Sequence, residues 1–546
     1  MSAKVEHSED ASKDASKDLA TVILAEKDEE HAGPTAVDLL KGAEAATDRE
    51  HTMGLWDAVR RHPKAVFWSV LFSLALVQEG FDHAFNSGFF SFPEFQKRYG
   101  VEVKPGVYEI PAEMQAGILN GVNAGEIVAL VGGGYLADRF GYRWLMIGCM
   151  VMMTSFIFMQ FFASDIYVLL GAEILLGIPW GVFQTLTTTY AAEVVPNILR
   201  PYLTMLVSFC WSLGFLLGTS VLRGCLRLTG PWAYRLPFAL QWVFPVPLGI
   251  AIYFAPESPW WFVRKGRADD AAQSLRRLQS HASDAEVANM VAMMAYTVEI
   301  EDEMASKSTY RELLRSFDLR RTEITVMVYL IQELCAPLTQ YAVYFLEEAG
   351  LDPALSFDFG MAQYAPAIVG VILAMHLVPK VGRRTLLLSG TAFATGVTFL
   401  IGFLGIPDPV THTNIAYGVG SLLLIQNFVF FFTIGPIVYT IVTEIPSNAL
   451  RTKSVAVARI AYNLCSLVYG QLTPHMVQTT SWNWGAKSGF FFGGIMLLGL
   501  VWAYFRVPET KGRTFAEVDI LFKNHVAARD FAKTSVDLAS QTVSHD

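Results

Sequence analysis

Apolar runs of about 20 residues recur along this chain, separated by short polar loops. That length, as helix, crosses about 30 Å of hydrocarbon. Twelve such spans are predicted: 66–92, 114–137, 144–163, 166–190, 203–222, 235–255, 323–346, 358–379, 385–404, 415–440, 453–476 and 486–506. The polar segment 256–322 divides six from six. Within it, "DDAAQSLRRLQ" (269–279) alternates charged and apolar residues, which predicts short amphipathic helices on the inner face. The fold class is therefore an all-α polytopic membrane protein with two six-helix halves.

Composition agrees with the pattern. The 546 residues are 53% hydrophobic and 17% charged, against about 25% charged in soluble chains. The acidic, Ser/Ala/Lys-rich segment 1–62 has too few large apolar residues for a core and reads as a disordered cytoplasmic tail. It supplies much of the net charge of −9. The remaining divisions are 63–255, 256–322, 323–506 and a C-terminal tail at 507–546. With no signal peptide ahead of it, span one is expected to act as its own insertion signal. Four of the five cysteines fall inside spans, so neither a disulfide framework nor a metal cluster is indicated.

Loop charge sets the expected orientation. Arg139 and Arg143 follow span two, Arg200 span four, and Arg264, Lys265 and Arg267 span six. Lys380, Arg383 and Arg384 follow span eight, and Arg451 and Lys453 follow span ten. The opposite loops hold Lys97, Arg98, Lys104, Arg223, Arg227 and Lys487. Lys and Arg concentrate in cytoplasmic loops, so both termini are placed in the cytoplasm.

The halves repeat one another. "YAAEVVPNILR" (190–200) is echoed by "TEIPSNALR" (443–451), with Glu193/Arg200 and Glu444/Arg451 at the same spacing. "PESPWWFVRKGR" (256–267) is echoed by "PETKGRTFAEVD" (508–519), and "GGYLADRFGYRW" (133–144) by "LVPKVGRRTLL" (377–387). Repeats of this kind rock against each other around a central site in transporters.

An ionised side chain at bilayer centre costs about 2.5–3.5 kcal/mol. Glu79, Asp82, Glu126, Glu173, Glu333 and Arg459 all lie within predicted spans, so they need pairing, protonation or a wet cavity. Glu79 and Asp82, at i and i+3, share one helix face. Mutual repulsion and burial both disfavour their charged forms, as a proton-coupling site requires. Arg459 of the second half is the expected counter-charge. His83 reads as a packed or pore-facing histidine.

The loop motifs, with the Pro-Glu-Ser after span six and the Pro-Glu-Thr-Lys-Gly after span twelve, resemble the sugar-porter branch of the major facilitator superfamily. "FPEFQKRYG" (92–100), "GIPWGVFQT" (177–185), "WAYRLPFALQWVFPVPL" (232–248) and "WNWGAKSGFFF" (482–492) resemble the fungal α-glucoside, or maltose-type, permeases. The resemblance implies proton-driven uptake of maltose or related α-glucosides by a monomer in the plasma membrane. It also implies that the first-span acid of proton-coupled sugar porters corresponds to Asp82. The acids matching Glu79, Asp82 and Glu126 would form one polar set with Arg459. The chain departs from hexose porters at Pro201, Ser208, "IQELCAPLTQY" (331–341) and Glu173, the last standing where hexose–proton porters carry Arg.

Sugar hydroxyls need polar partners and sugar C–H faces need aromatic walls. Candidates are Gln184 and Thr185 in span four, Gln332 and Gln340 in span seven, Asn427 and Tyr439 in span ten and Asn463 in span eleven. Trp180 and Trp211 are candidate ring faces. The loop charges Asp138, Arg139, Arg143, Glu193 and Arg200 of one half, with Arg383, Arg384, Glu444 and Arg451 of the other, are expected to pair within and between halves as a gate.

Neither a nucleotide-binding loop, a catalytic triad nor a metal-ligand cluster is visible, so no enzyme, cofactor or nucleic-acid partner is expected. "GGGYL" (132–136) sits inside a span and reads as close helix packing. The partners are then a small sugar, protons and the lipid bilayer. Two alternatives stay open: a transporter of hexose or another polyhydroxylated metabolite, and a non-transporting sugar sensor. The 24 residues after Phe522 weigh against a sensor.

Overall fold

The computed structural model describes residues 59–195, 199–279, 283–307, 312–313, 316–407, 413–447, 450–511, 513, 515–537 and 542–545. The expected disordered tail lies, up to residue 58, outside the described residues.

Among the described residues, ten helical segments are long and apolar enough to cross a membrane, from Pro63–Ser91 to Gly485–Arg506. The two remaining predicted spans are helical but differ in kind. Span seven is broken into Ser316–Leu334, Pro337–Gln340 and Ala342–Glu348, because Pro337 lacks the N–H a continuous helix needs. Span eleven, Arg451–Val477, is one helix whose polar residues dilute its hydropathy. Span one is also interrupted, at Leu74, between Pro63–Ser73 and Ala75–Gly88. The inter-half segment forms the helices Pro259–Arg264, Ala268–Leu278 and Asp284–Lys307.

The two faces of the bundle differ. One carries the repeated loop motifs. The other carries a hairpin, Val101–Lys104 paired antiparallel with Val107–Glu109, between spans one and two.

Glycines set the helix spacing around the centre. A Cβ on Gly125 of span two would lie 2.2 Å from the Ile174 carbonyl oxygen of span four. One on Gly214 of span five would lie 2.2 Å from the Val77 carbonyl oxygen of span one. Spans two and four, and one and five, therefore touch backbone to backbone, bringing Glu79 and Glu126 toward Gln184. The "GGGYL" expectation is corrected here. A Cβ on Gly132 or Gly134 would meet nothing within 4 Å, so close packing falls at Gly125, Gly177 and Gly181 instead.

Candidate functional site

The centre of the bundle holds a polar bridge between the halves. Gln184 Nε2 donates to Glu79 Oε1 at 2.5 Å and to Glu126 Oε1 at 3.3 Å. Gln184 Oε1 accepts from Arg459 Nε at 3.1 Å and from a terminal nitrogen of the same guanidinium. Asn463 Nδ2 donates to Glu126 Oε2 at 3.1 Å. Spans one, two and four of the first half thus meet span eleven of the second through one amide. This orientation uses both the donor and the acceptor of the amide.

Arg459, the expected counter-charge, is hydrogen-bonded to the acids by way of Gln184, which stands between them. The arrangement also separates the two acids of span one. Glu79 joins the bridge, whereas Asp82, 1% exposed, has no hydrogen bond at either carboxylate oxygen. The charges acting on Asp82 are Glu173 and Glu79, both acids. His83 packs between Trp180 and Trp211, with ring centroids 4.8 and 5.0 Å apart, and its Nδ1 lies 3.1 Å from the Glu79 carbonyl oxygen.

Two small cavities, of about 50 and 60 Å³, adjoin the bridge and share Trp211, Glu333, Gln340, Arg459 and Tyr462 as walls. Gln184 lines the first; Gln332, Asn427 and Tyr439 line the second. Most polar walls are tied to neighbours. Gln332 Nε2 donates to the Gly435 carbonyl oxygen at 2.9 Å, Asn427 Nδ2 to that of Gln363 at 3.0 Å, and Tyr469 Oη to Gln340 Oε1 at 3.0 Å. Three candidates stand outside both cavity walls. Thr185 turns its hydroxyl back to the Val182 carbonyl oxygen, Asn463 serves Glu126, and Trp180 is fully buried behind His83.

Sequence reasoning named Tyr439 but missed Tyr329, Tyr462 and Tyr469. The Arg459 guanidinium lies 4.4 Å from the Tyr462 ring centroid and 5.8 Å from that of Tyr329. Glu333 lies against Tyr462, Ser466 and Tyr469. The available signal was positional: residues 459, 462, 466 and 469 fall at helical spacing on one face of span eleven.

The loop charges form two matching clamps, each within one half. In the first, Glu257 accepts the backbone N–H groups of Tyr142, Arg143 and Ser258, each at 3.0 Å. Glu193 accepts from Arg264 at 2.7 Å, Tyr142 Oη at 2.9 Å and Ser258 Oγ. In the second, Glu509 accepts the N–H groups of Arg383, Arg384 and Lys511 at 2.8, 3.1 and 3.1 Å. Glu444 accepts from Arg383 at 2.8 Å and Thr510 Oγ1 at 2.5 Å.

The acids Glu257 and Glu509 went unassigned in the sequence, although each belongs to the repeated Pro-Glu motif. Arg143 and Arg384 donate to backbone carbonyls of Ala255 and Val507, and Asp138 and Arg139 are exposed. Arg451 opens span eleven, and the Arg200 side chain is outside the described residues.

Contacts between halves gather on the hairpin face. Arg223 of span five meets Asp358 of span eight at 2.7 and 3.2 Å. Asn120 of span two donates to Gln471 of span eleven at 3.1 Å. Glu109 Oε2 accepts from Gln478 at 3.2 Å and Thr480 at 3.1 Å.

Residues 68–522 match the family described as "Sugar (and other) transporter". The chain is 38% identical over 502 residues to a General alpha-glucoside permease of Saccharomyces cerevisiae, covering 91% of this chain and 81% of the permease. It is 39% identical over 509 residues to Maltose permease MAL31 of the same organism, covering 92% and 82%. Among solved structures, the proton:xylose symporter XylE bound to 6-bromo-6-deoxy-D-glucose aligns with TM-score 0.67 at 20% identity, covering 83% of this chain and 98% of the symporter. An inward open conformation of XylE from E. coli aligns with TM-score 0.65 at 21% identity, covering 84% and 99%. These two structures share the major facilitator fold with this chain.

Proposed function

Because this chain belongs to the sugar transporter family, we propose that it is a proton-coupled importer of α-glucosides such as maltose, working by alternating access in the plasma membrane. The observation that carries this reading is the Gln184 bridge, which ties buried acids of one half to a buried cation of the other. The relatives' names supply the substrate class.

The motif face is cytoplasmic in this reading, and the hairpin face is outside. The inter-half contacts on the hairpin face then describe a state closed to the outside. A hydrogen bond to a charged group contributes about 1.5–3 kcal/mol, and one between neutral groups about 1 kcal/mol. A proton on Glu79 or Glu126 therefore loosens the amide's hold at the acid end, and with it the tie to Arg459. Separation of the halves becomes easier when the acids are loaded. The cavities beside Trp211 and Tyr462 are where a sugar ring would lie as they widen.

The driving force is sufficient. One charge crossing about 100 mV gains roughly 2.3 kcal/mol, and one unit of pH gradient adds about 1.4 kcal/mol. Together they sustain a gradient of several hundred-fold, at about 1.4 kcal/mol per tenfold.

The test is expression in cells lacking sugar permeases, with maltose, sucrose, trehalose or glucose added while external pH and uptake are recorded. Sugar-evoked alkalinisation with accumulation is expected. Uptake indifferent to pH and to protonophore sinks the coupling. No uptake of any of these sugars, with intact surface expression, favours transport of another polyhydroxylated metabolite or a sensor.

A further inference from the structure

The rim of the motif face holds two pairs of guanidinium groups that neither the bridge nor the clamps use. In the first half, Arg143 at the start of span three and Arg277 on the helix Ala268–Leu278 line one cavity of about 280 Å³. They donate to consecutive carbonyls at the exit of span six, Arg143 Nη1 to Ala255 at 3.3 Å and Arg277 to Phe254. In the second half, Arg384 at the start of span nine donates to the Val507 and Tyr504 carbonyls at the exit of span twelve, at 3.1 and 2.6 Å. Arg529 shares the Tyr504 ring with it, the two guanidinium groups lying 5.0 and 5.6 Å from the ring centroid. The pairs are related by the internal repeat. Arg143 and Arg384 each stand two residues after a left-handed glycine, Gly141 or Gly382. Arg277 and Arg529 each stand 21 residues after the proline of a Pro-Glu motif, Pro256 or Pro508.

The two acids in the cavity wall are already engaged. Asp270 pairs with Arg267 at 2.7 Å, and Glu257 takes three backbone N–H groups. Arg143 Nε is buried without an acceptor among the described residues. Two cations held side by side repel, and an anion between them removes that cost. Exposed rings border both rims: Trp144, Tyr253 and Phe254 in the first half, Tyr504 and Phe505 in the second. Trp and Tyr at the ends of spanning helices mark the headgroup level of a bilayer. On the other side of Arg277, Lys64 and the exposed Phe67 border an open groove at the start of span one. The pairs therefore stand where an apolar surface meets phosphate.

We propose that each arginine pair binds the phosphate of an acidic phospholipid in the leaflet at the motif face, and that the cavity between Arg143 and Arg277 takes the rest of one headgroup. A guanidinium offers parallel N–H donors that match phosphate oxygens, so a pair grips one phosphate from two sides. Basic pockets among spanning helices take anionic headgroups in this way. A choline headgroup would bring a third cation to the pair, so the site selects for net negative charge. The acyl chains then lie along the exposed rings. The inference is independent of what the chain carries.

The test uses the purified full chain, delipidated in neutral detergent and titrated with phosphatidylserine, phosphatidylcholine or inorganic phosphate. Lipids retained per folded chain are counted by native mass spectrometry, which reads folded molecules even of a less stable variant. Two copies of phosphatidylserine are expected, with phosphatidylcholine retained far less. R277Q and R529Q should each weaken one copy about fivefold, the effect of one surface charge. The double variant should weaken both copies, because the sites are separate. R277K should keep most of the binding. K97Q, which removes the same charge from the hairpin face, should keep all of it. Phosphatidylserine retained by the double variant as by wild type overturns the proposal, and so does equal retention of phosphatidylcholine. Inorganic phosphate displacing the lipid at equal concentration overturns it in favour of a soluble phosphoryl ligand. Binding of phosphatidylserine seen only after removal of residues 1–58 overturns it in favour of the chain's own acidic segment.

Discussion

Arg459 is hydrogen-bonded to Glu79 by way of Gln184, whose Oε1 takes the guanidinium and whose Nε2 lies 2.5 Å from the carboxylate. A direct ion pair would bind the halves whenever both charges are present. An amide between them carries no charge, so each of its hydrogen bonds is charge-assisted from one side only.

Gln184→Leu keeps the volume and removes both ends of this link. Hydrogen bonds to charged groups are worth about 1.5–3 kcal/mol each, so accumulation of sugar should be lost while counterflow persists. Arg459→Lys should also fail to accumulate, because an ammonium lacks the planar fork that meets the amide oxygen through two nitrogens. A Gln184→Leu variant that concentrates sugar as well as wild type would remove the bridge from the coupling mechanism.

Just past the apolar run of span seven, burial pushes the Glu347 carboxyl up from its ordinary 4.5 to about 7, helped by the nearby acids Glu348 and Glu109. It is half-buried beside Ser91 and Gln96 of the first half, so opening of the hairpin face exposes it further. The closed state then binds the extra proton. Its advantage is full below about pH 4.5 and is lost as pH rises through about 7. Thiol labelling of a cysteine placed under the hairpin should therefore slow as external pH falls through that window. Glu347→Gln should flatten the response; unchanged pH dependence in that variant would assign the effect elsewhere.

Arg223 and Asp358 close the same face at 2.7 Å, but their side chains are 26% and 44% exposed. Exposed pairs are worth about 0–1 kcal/mol, so Arg223→Ala should raise labelling from the hairpin side by less than about fivefold. The exchange Arg223→Asp with Asp358→Arg should bring it back. A larger effect, or no rescue, would mean that Arg223 acts by more than this pair.

Gly141 (φ 86°) and Gly382 (φ 108°) sit in the left-handed region, and a Cβ on them would lie 2.5 and 2.6 Å from the Glu257 and Glu509 carboxylates. Alanine at either should cost about 1–3 kcal/mol from the backbone alone, lowering the thermal transition of the purified chain. Gly132→Ala, whose Cβ meets nothing within 4 Å, should leave it unchanged.

The fold was legible because hydrocarbon thickness fixes helix length and the motifs occur twice. The site was legible in part. Buried charge in an apolar run singled out Glu79, Glu126 and Arg459, all of which reach the bridge. The intermediary role of Gln184 was hidden, because reach across four helices depends on backbone spacing set by Gly125 and Gly214. Asp82 and Glu79 share a face by spacing, yet fall on opposite sides of a boundary that only the neighbouring helices draw. Tyr329 and Tyr462 beside Arg459 were passed over because in an apolar span an aromatic ring looks like packing.

The two Pro-Glu clamps have a mechanical consequence. Each fastens the exit of the last helix in its half to the start of the third, through two backbone N–H groups of that third helix on one carboxylate. A bundle stapled at its rim resists bending, so each half is a stiff lever. In the proposed transport cycle, work done on the acids at the fulcrum would then be delivered as a swing of the far ends and not absorbed as flexure within a half.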